Sequence, residues 1–338
     1  MKILVTAPYT EDELNRLREK GEVIYENWQI TGNLEFNSKN FIKRINDNNI
    51  DIIITEADEI DEEVIDNTNL KLIASTRGTP VNVDRESATK KKIPIVYAPH
   101  RNADAVADLT VMMMLIQARK YVGIERLLKS ESFDISDYDE AEFGEFFTKY
   151  RGNEIGNLEI GIIGFGAIGS RVAKRLHLGF GSKILYHDPY VPEDDPVVKL
   201  TNATSVNLQE LMKSSDMVTL HVPPITETDG LIGKEEFALM KPTAHFFNLA
   251  RSFSIDEDAL YEAIENKRIA GAGLDVFDEE PVDSENRFLK FDNVVVTPHI
   301  GGNTYDVIKH QSKMITEDIL KLFENKRPKN IWNREIYK

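Results

Sequence analysis

Arg251, Glu280 and His299 combine the side-chain types needed for proton transfer beside a bound anion. Imidazole gives and takes a proton near neutral pH, and a carboxylate on its second ring nitrogen would fix the tautomer and stabilise the imidazolium form. The planar fork of arginine matches a carboxylate. Oxidation of an alcohol next to a carboxylate needs a base, which takes the hydroxyl proton as hydride leaves, and a cation, which binds the carboxylate. These three residues are therefore the candidate catalytic set.

Each candidate follows a different predicted strand: Arg251 follows one, Glu280 the next along the chain, and His299 the third. The predicted strands of this region are 217–222, 245–248, 273–276 and 294–297. Taken alone, each candidate is more often a surface or turn residue. Ligands of open α/β sheets bind outside the carboxyl ends of the strands, however, so the three loops can converge on one site.

A glycine-rich turn precedes these strands. The apolar run 160–163 leads into Gly164, Gly166 and Gly169, a helical pattern follows, and Asp188 closes the next apolar run roughly twenty residues further on. Gly164 permits a tight turn, Gly166 lets the backbone approach a pyrophosphate, and Gly169 lets helix and strand pack closely. The phosphates would lie at the positive helix N-terminus. The segment therefore predicts a dinucleotide site.

The acidic residue Asp188 indicates which dinucleotide binds. Its carboxylate would take the adenosine ribose hydroxyls of NAD and repel the 2′-phosphate of NADP. Acidic residues follow at 193–195, and no arginine is near them in the sequence. We therefore expect NAD as the cofactor, with Asp275 on the nicotinamide side. His221, which ends a predicted strand, is expected to be structural or adjacent to the cofactor.

The composition limits the class of protein. With 41% hydrophobic and 29% charged residues, the chain can form two domains with proper cores, and its apolar stretches are too short for a membrane span or a signal peptide. The absence of cysteine excludes a disulfide framework, thiolate catalysis and cysteine-ligated zinc, and we expect no metal site. The net charge of -16 argues against nucleic acid and anionic membranes as partners. We expect a cytoplasmic protein.

Strand-like and helical patterns alternate over residues 1–102, which predicts a β/α domain with a parallel sheet. Thr10 and Glu13 match a capping box for its first helix. After the nucleotide-binding region 103–303, a helix-like run and a polar tail, 304–338, return to the first domain. We expect an α/β protein in which the second domain is inserted into a discontinuous first domain.

Two segments of the second domain need separate interpretation. Residues 102–128 are predicted to form one long buried helix. The segment 129–157 is acidic and rich in aromatic residues, namely Phe133, Tyr138, Phe143, Phe146, Phe147 and Tyr150. It is interpreted, with equal weight, as an arm that packs on a partner subunit or as a loop folded on its own domain.

Over nearly its whole length, the sequence resembles the D-isomer-specific 2-hydroxyacid dehydrogenase family, which includes phosphoglycerate dehydrogenases and glyoxylate or hydroxypyruvate reductases. Besides the glycine turn and the three catalytic loops, the resembling segments are 78–84, 106–108, 221–223, 228–232 and 240–241. The resemblance implies two Rossmann-like or flavodoxin-like domains, with the substrate domain split into 1–102 and 304–338. It also implies a homodimer.

The resemblance further implies individual roles. Arg251 would bind the substrate, Glu280 and His299 would transfer the proton, and Asp275 would meet the nicotinamide carboxamide. The residues that would line the cofactor are Gly164, Gly166, Ala167, Ile168, Gly169, Asp188, Val222, Pro223, Thr228, Leu249, Ala250, Gly301 and Thr110. The residues expected to bind the substrate from the first domain are Arg77, Gly78 and Thr79.

The sequence departs from the family pattern at a few positions. Ser252 follows Arg251 where the family usually has glycine, and a side chain there narrows the backbone conformations of the loop. Asp108 stands where the family most often has glutamate. Arg77 could help to hold a second anionic group of the substrate, or it could be an ordinary surface residue.

The favoured interpretation is an NAD-dependent dehydrogenase or reductase of a small D-2-hydroxy acid. A phosphoglycerate dehydrogenase is an alternative for which Arg77 is the only indication, and only a short tail follows His299, so no separate regulatory domain is expected. A third hypothesis is an NAD(H)-sensing binding protein similar to transcriptional corepressors built on this fold. The sequence leaves open which 2-oxo acid is used and in which direction the reaction runs.

Overall fold

The computed structural model describes residues 1–130, 134, 136 and 138–337. The chain forms two units: unit 1 comprises Met1–Asn102 and Asn303–Lys338, and unit 2 comprises Ala103–Gly302. Unit 2 is therefore inserted between two parts of unit 1. In the described part of the chain, each helix is too short or too polar to span a bilayer.

Unit 1 is built on a five-stranded parallel sheet in the order β2-β1-β3-β4-β5. The strands are β1 (Lys2–Val5), β2 (Glu22–Tyr25), β3 (Ile52–Thr55), β4 (Leu72–Ser75) and β5 (Ile95–Tyr97). The helices are α1 (Glu11–Arg18), α2 (Trp28–Thr31), α3 (Ser38–Asp47), α4 (Glu62–Asp66), α5 (Arg85–Lys90) and α14 (Tyr305–Phe323). Strands β3 and β4 are buried along their whole length, which explains their nearly continuous apolar sequences.

Successive residues of these strands enter two separate cores. Ile3 and Val5 pack in one core with Ile315 and Ile319 of α14, whereas Leu4 packs in the other, with residues of α3, α4 and α5. The alternation follows from the two-residue period of a strand. Helix α14 is thus part of the core of unit 1, although it follows unit 2 in the sequence.

Polar contacts also join the end of the chain to unit 1. The Tyr9 hydroxyl lies 2.9 Å from the Ser312 carbonyl oxygen, to which it donates, and 2.7 Å from the Thr316 hydroxyl. Burial raises the pKa of Tyr9, so this phenol stays protonated. The Asn333 side chain, fully buried, accepts from the Ile95 amide at 2.9 Å. The tail therefore completes the hydrogen bonding of edge strand β5.

Unit 2 is built on a seven-stranded parallel sheet in the order β12-β11-β10-β9-β6-β7-β8. The strands are β6 (Glu159–Ile163), β7 (Lys183–His187), β8 (Thr204–Ser205), β9 (Met217–Leu220), β10 (His245–Asn248), β11 (Gly271–Leu274) and β12 (Val294–Val296). The direction of winding reverses between β6 and β9, which is where ligands of doubly wound sheets bind. The predicted α/β class with two parallel sheets is confirmed.

The helices of unit 2 cover both faces of its sheet, and two apolar cores result. They are α6 (Ala103–Ala118), α7 (Tyr121–Lys129), α8 (Glu140–Lys149), α9 (Gly169–Phe180), α10 (Pro196–Thr201), α11 (Leu208–Ser214), α12 (Lys234–Leu239) and α13 (Glu257–Glu265). Short 3-10 turns lie at Ile155–Asn157, Thr226–Thr228, Ser252–Ser254 and Arg287–Lys290.

The prediction of one long helix over 102–128 is wrong. Helix α6 ends at Ala118, Lys120 adopts a left-handed backbone with φ 52°, and α7 starts at Tyr121. The Ala118 carbonyl accepts from the Asn153 amide at 2.8 Å, so a contact from a later segment takes an acceptor that a continued helix would use. Helix α6 is largely buried, whereas α7 has no buried residue.

The predicted capping box of α1 does not form. Thr10 lies at the N-cap, but its side chain makes no capping hydrogen bond. Its amide instead donates to the Ser312 hydroxyl at 3.1 Å, and the Glu13 carboxylate pairs with Arg16 at 2.7 Å. The contact of Thr10 with Ser312 and the ion pair of Glu13 with Arg16 therefore replace the capping box.

The aromatic segment forms helix α8 with its own ring cluster. Asp139 and Glu142 build a capping box at its start. The Phe146 ring packs against Phe147 and Tyr150, at centroid distances of 5.4 and 5.0 Å. Residues 131–133, 135 and 137, which include Phe133, lie outside the described residues. Phe143 and Phe147 remain 47% and 54% exposed, so the cluster leaves an aromatic surface uncovered.

Candidate active site

The three candidate loops lie at the same edge of the unit 2 sheet. Strand β11 pairs with β10 on one side and β12 on the other, with Leu274 opposite both Asn248 and Val296. Because the strands are parallel, their carboxyl ends point the same way, and the loops that follow them are neighbours. The observed strand order therefore supports the expectation that the Arg251 and His299 loops lie close together.

His299 and Glu280 form a hydrogen-bonded pair. The Nδ1 atom of the imidazole lies 2.7 Å from Oε2 of Glu280, and the other carboxylate oxygen accepts from the Phe277 amide at 3.1 Å. Both oxygens of Glu280 are thus engaged, which fixes the direction of the carboxylate. The imidazole is 45% exposed. Because Nδ1 contacts Glu280, Nε2 is the ring nitrogen left to exchange a proton with a bound molecule.

Asp275 holds the backbone around His299. One of its oxygens accepts from the Thr297 hydroxyl at 2.6 Å and the Ile300 amide at 2.8 Å, and the other accepts from the Gly301 amide at 2.8 Å. His299 itself has a left-handed backbone with φ 56°, which costs about 1–2 kcal/mol for a residue with a Cβ. Hydrogen bonds to a buried carboxylate can offset that cost. Contact of Asp275 with nicotinamide stays a prediction.

Asn248 holds the Arg251 loop in a similar way. This fully buried side chain accepts from the Ala250 amide at 3.0 Å and donates to the Arg251 carbonyl at 2.9 Å. The Arg251 side chain is exposed and donates to the Ala250 carbonyl at 2.7 Å. The sequence predicts Asn248 only as the end of a strand, and its polar side chain at the end of that buried strand is the signal for a holding role.

Ser252 fits the loop without a glycine. It starts the 3-10 turn Ser252–Ser254, which is a right-handed conformation open to residues with a side chain. The Gly230 amide donates to the Phe253 carbonyl at 2.8 Å and secures the same turn. The departure from the family pattern at Ser252 is therefore compatible with an ordered Arg251 loop.

The glycine turn leads directly into helix α9, as predicted. Gly164 has φ 86°, and a Cβ there would lie 2.6 Å from the His221 carbonyl oxygen. A Cβ at Gly169 would overlap the Gly164 carbonyl. Gly166 is exposed, and open space surrounds the position of its missing Cβ. This open cradle at the N-terminus of a 12-residue helix fits a pyrophosphate group.

Asp188 follows strand β7 and caps two backbone amides. Its carboxylate accepts from Phe165 at 2.8 Å, within the glycine turn, and from Tyr190 at 2.9 Å. The carboxylate is thereby held beside the turn. Its expected contact with ribose hydroxyls stays a prediction.

His221 lies next to the glycine turn and cannot serve as the proton carrier. Burial lowers its pKa to about 3, so the imidazole is neutral near pH 7. Its Nε2 atom lies 3.0 Å from the Thr219 hydroxyl, and its buried Nδ1 atom has no hydrogen-bond partner among the described residues. A buried nitrogen without a partner beside the cradle is consistent with a polar ligand there.

The other residues predicted to line the cofactor also belong to unit 2. Val222 and Pro223 follow β9, and the Thr228 hydroxyl donates to the Pro223 carbonyl at 2.6 Å. Thr110 is fully buried in α6 and donates to the Val106 carbonyl at 2.7 Å, so its hydroxyl is satisfied within its own helix. The remaining members, listed by place, are Ala167 and Ile168 in the glycine turn, Leu249 and Ala250 after β10, and Gly301 after β12.

The expected substrate loop lies at the carboxyl end of β4 in unit 1. The Arg77 guanidinium lies 3.5 Å from the Glu56 carbonyl oxygen, and the Arg77 carbonyl accepts from the Ala98 amide at 3.1 Å. Gly78 and Thr79 are exposed. The role of these residues in substrate binding stays a prediction.

Known proteins resemble the whole chain. The family model described as "D-isomer specific 2-hydroxyacid dehydrogenase, NAD binding domain" matches residues 111–301. A glyoxylate reductase of Thermococcus gammatolerans is 35% identical over 100% of this chain and 97% of its own length. A D-3-phosphoglycerate dehydrogenase of Methanocaldococcus jannaschii is 34% identical over 98% of this chain but only 59% of its own length. The crystal structure of TT0316 protein from Thermus thermophilus matches with a TM-score of 0.81, at 31% identity, over 98% of this chain and 100% of that one.

Proposed function

Since this chain belongs to the D-isomer-specific 2-hydroxyacid dehydrogenase family, we propose that it interconverts a small D-2-hydroxy acid and its 2-oxo acid, using NAD. The observation that carries the proposal is the hydrogen bond between His299 and Glu280, in a loop beside that of Arg251. Family membership makes the chain an oxidoreductase. The substrate, the preference for NAD and the roles of the residues are the proposed part.

His299, Glu280 and Arg251 have separate roles in the proposed reaction. In oxidation, the Nε2 atom of His299 takes the proton of the substrate hydroxyl, and in reduction it returns a proton to the carbonyl oxygen. Glu280 stabilises the imidazolium that forms when the proton is held. Arg251 binds the substrate carboxylate and polarises the carbonyl. A dinucleotide held at the glycine turn, near Gly166 and Asp188, would supply the hydride-transfer chemistry.

A panel of 2-oxo acids with NADH tests the proposal. We expect consumption of NADH with at least one of glyoxylate, hydroxypyruvate, 3-phosphohydroxypyruvate and bulkier 2-oxo acids, and a product of D configuration where C2 becomes a stereocentre. The highest kcat/KM for 3-phosphohydroxypyruvate would support the phosphoglycerate alternative. NADH binding without turnover of any acid would overturn the proposal in favour of a dinucleotide-sensing protein.

The cofactor preference gives a first prediction. We expect kcat/KM to be about a hundredfold higher with NADH than with NADPH, because like charges placed together cost several kcal/mol and Asp188 would face the 2′-phosphate. Asp188→Asn should reduce that ratio while keeping one oxygen for the Phe165 or Tyr190 amide. Asp194→Asn removes the same charge from an exposed neighbour and should change the ratio less. Equal kcat/KM with both cofactors in the parent would contradict the assignment.

The exposed rings of α8 support the homodimer implied by the family. We propose that Phe143 and Phe147, whose centroids lie 4.9 Å apart, pack on a second copy of this chain. The parent should then be a dimer by light scattering at micromolar concentration, and F143S/F147S should shift it toward a monomer. Tyr305→Ser, which removes an exposed ring of unit 1, is the control and should stay dimeric. A monomeric parent would rule out this interface.

A further inference from the structure

We propose that Glu257 is a positioning residue that holds the turn carrying Glu280 and thereby aims the carboxylate at His299. The proposal rests on the proposed function, because it assigns the residue a part in the same proton transfer. Glu257 is the first residue of α13 and follows the capping residue Asp256. Its side chain is only 10% exposed.

Two fixed partners hold the Glu257 carboxylate. Oxygen Oε2 accepts from the Asp278 amide at 2.9 Å, and Oε1 accepts from Nη2 of Arg287 at 3.2 Å. The Arg287 guanidinium lies over the Tyr261 ring, 5.0 Å from its centroid, and over the Phe288 ring, 5.4 Å from its centroid. A nearly buried carboxylate between a backbone amide and a stacked arginine has little freedom to turn away.

The anchored amide belongs to the turn that Glu280 uses. Asp278 follows Phe277, whose own amide donates to Oε1 of Glu280, and the second oxygen of Glu280 accepts from His299. Glu257 thus fixes the peptide next to the one that orients Glu280. Loss of this hydrogen bond frees the turn between Phe277 and Glu280, although Glu257 forms no hydrogen bond or ion pair with His299 in the described part of the chain.

Asp258 provides a matched control. It is the next residue along α13 and pairs with the same guanidinium, through Nη1 of Arg287. Its side chain is 82% exposed and makes no hydrogen bond to the 277–280 turn. Substitution of Asp258 therefore removes one negative charge and one contact with Arg287, as substitution of Glu257 does. It keeps the hydrogen bond between Glu257 and the Asp278 amide.

We expect Glu257→Ala to lower kcat by tenfold or more, because loss of the hydrogen bond to the Asp278 amide lets the turn move and the Glu280 carboxylate lose its alignment with His299. The Kd for NADH should stay at the parent value. Glu257→Gln should recover most of the activity, since its amide oxygen can still accept from Asp278. Asp258→Ala should behave like the parent. A parent-like kcat for Glu257→Ala, or an equal loss for Asp258→Ala, would overturn the proposal.

A double-mutant cycle separates positioning from general destabilisation. If Glu257 acts through Glu280, Glu257→Ala should cause little further loss of kcat in a Glu280→Gln background, because interacting residues are not additive. An undiminished further loss would show that Glu257 acts by another route.

A readout without turnover keeps this test apart from that of the proposed function. In NMR spectra of the protein with ¹⁵N-labelled histidine, Glu257→Ala should move the His299 ring signals toward those of Glu280→Gln, and Asp258→Ala should leave them in place. Unmoved signals in Glu257→Ala would contradict the proposal. If the parent reduces no 2-oxo acid, the proposed reaction fails, while the ring signals still decide the positioning role.

Discussion

His299→Ala is expected to lower kcat for 2-oxo acid reduction by about a hundredfold to ten-thousandfold, the usual contribution of general acid–base catalysis. The Glu280 carboxylate holds the ring through Nδ1 at 2.7 Å, and alanine leaves no group to exchange the proton. His221 cannot replace it, because burial lowers the pKa of that imidazole to about 3. Steady-state kinetics in both directions measure the effect.

The matched control for this prediction is His177→Ala. His177 lies on α9, where its Nδ1 atom is 3.0 Å from the Ser182 carbonyl oxygen, so this variant removes an imidazole outside the loops of Arg251, Glu280 and His299. We expect nearly parent activity for this control and an unchanged Kd for NADH in His299→Ala. If His299→Ala keeps the parent kcat, His299 is only a turn residue and the proposed mechanism is wrong.

Arg251→Ala is expected to lower kcat/KM for the 2-oxo acid by roughly a hundredfold or more, since a bound substrate would bury its carboxylate against Arg251 and truncating one partner of a buried hydrogen-bonded charge pair costs about 2–5 kcal/mol. The Arg251 guanidinium is exposed, and the Asn248 side chain holds its loop through the Ala250 amide and the Arg251 carbonyl. Arg251→Lys keeps the charge but lacks the planar fork, so it should recover only part of the loss.

The measurement for Arg251 should separate substrate binding from cofactor binding. Titration of NADH by fluorescence should give the parent Kd in both variants, and the loss should appear with the 2-oxo acid. Added guanidinium should restore some activity to Arg251→Ala and none to Arg251→Lys. A parent-like kcat/KM in Arg251→Ala would remove Arg251 from the substrate site.

The strand pattern is sufficient to predict that the loops of Arg251, Glu280 and His299 follow neighbouring strands at one edge of the sheet. Apolar runs ending before Arg251, Glu280 and His299 indicated buried strands, and parallel strands place their carboxyl ends together. The glycine turn is also predictable from the sequence, because Gly164 and Gly169 occupy positions where backbone contact excludes a side chain. These features depend on local sequence, so they could be derived from it.

The supports of the site could not be derived in this way. Glu257 reaches the 277–280 turn across 21 positions of sequence, and Asp275 reaches Thr297 across 22. No spacing rule identifies such pairs, because each depends on how separate loops pack. Tertiary contacts also overrode local signals elsewhere: Ser312, 302 positions away, binds the Thr10 amide, and the Asn153 amide binds the Ala118 carbonyl where one long helix was expected.

The contacts of Tyr9 and Asn333 have a consequence for biosynthesis. A ribosome adds residues from the N-terminus onward, so Ile95 is made 238 residues before Asn333, which accepts from its amide. Every residue of unit 2 has been made once Gly302 is added, whereas unit 1 still lacks α14 and the tail. During translation, the inserted unit is therefore the first to have its whole chain, and the strands made earliest wait for the segment after Gly302 to complete their core.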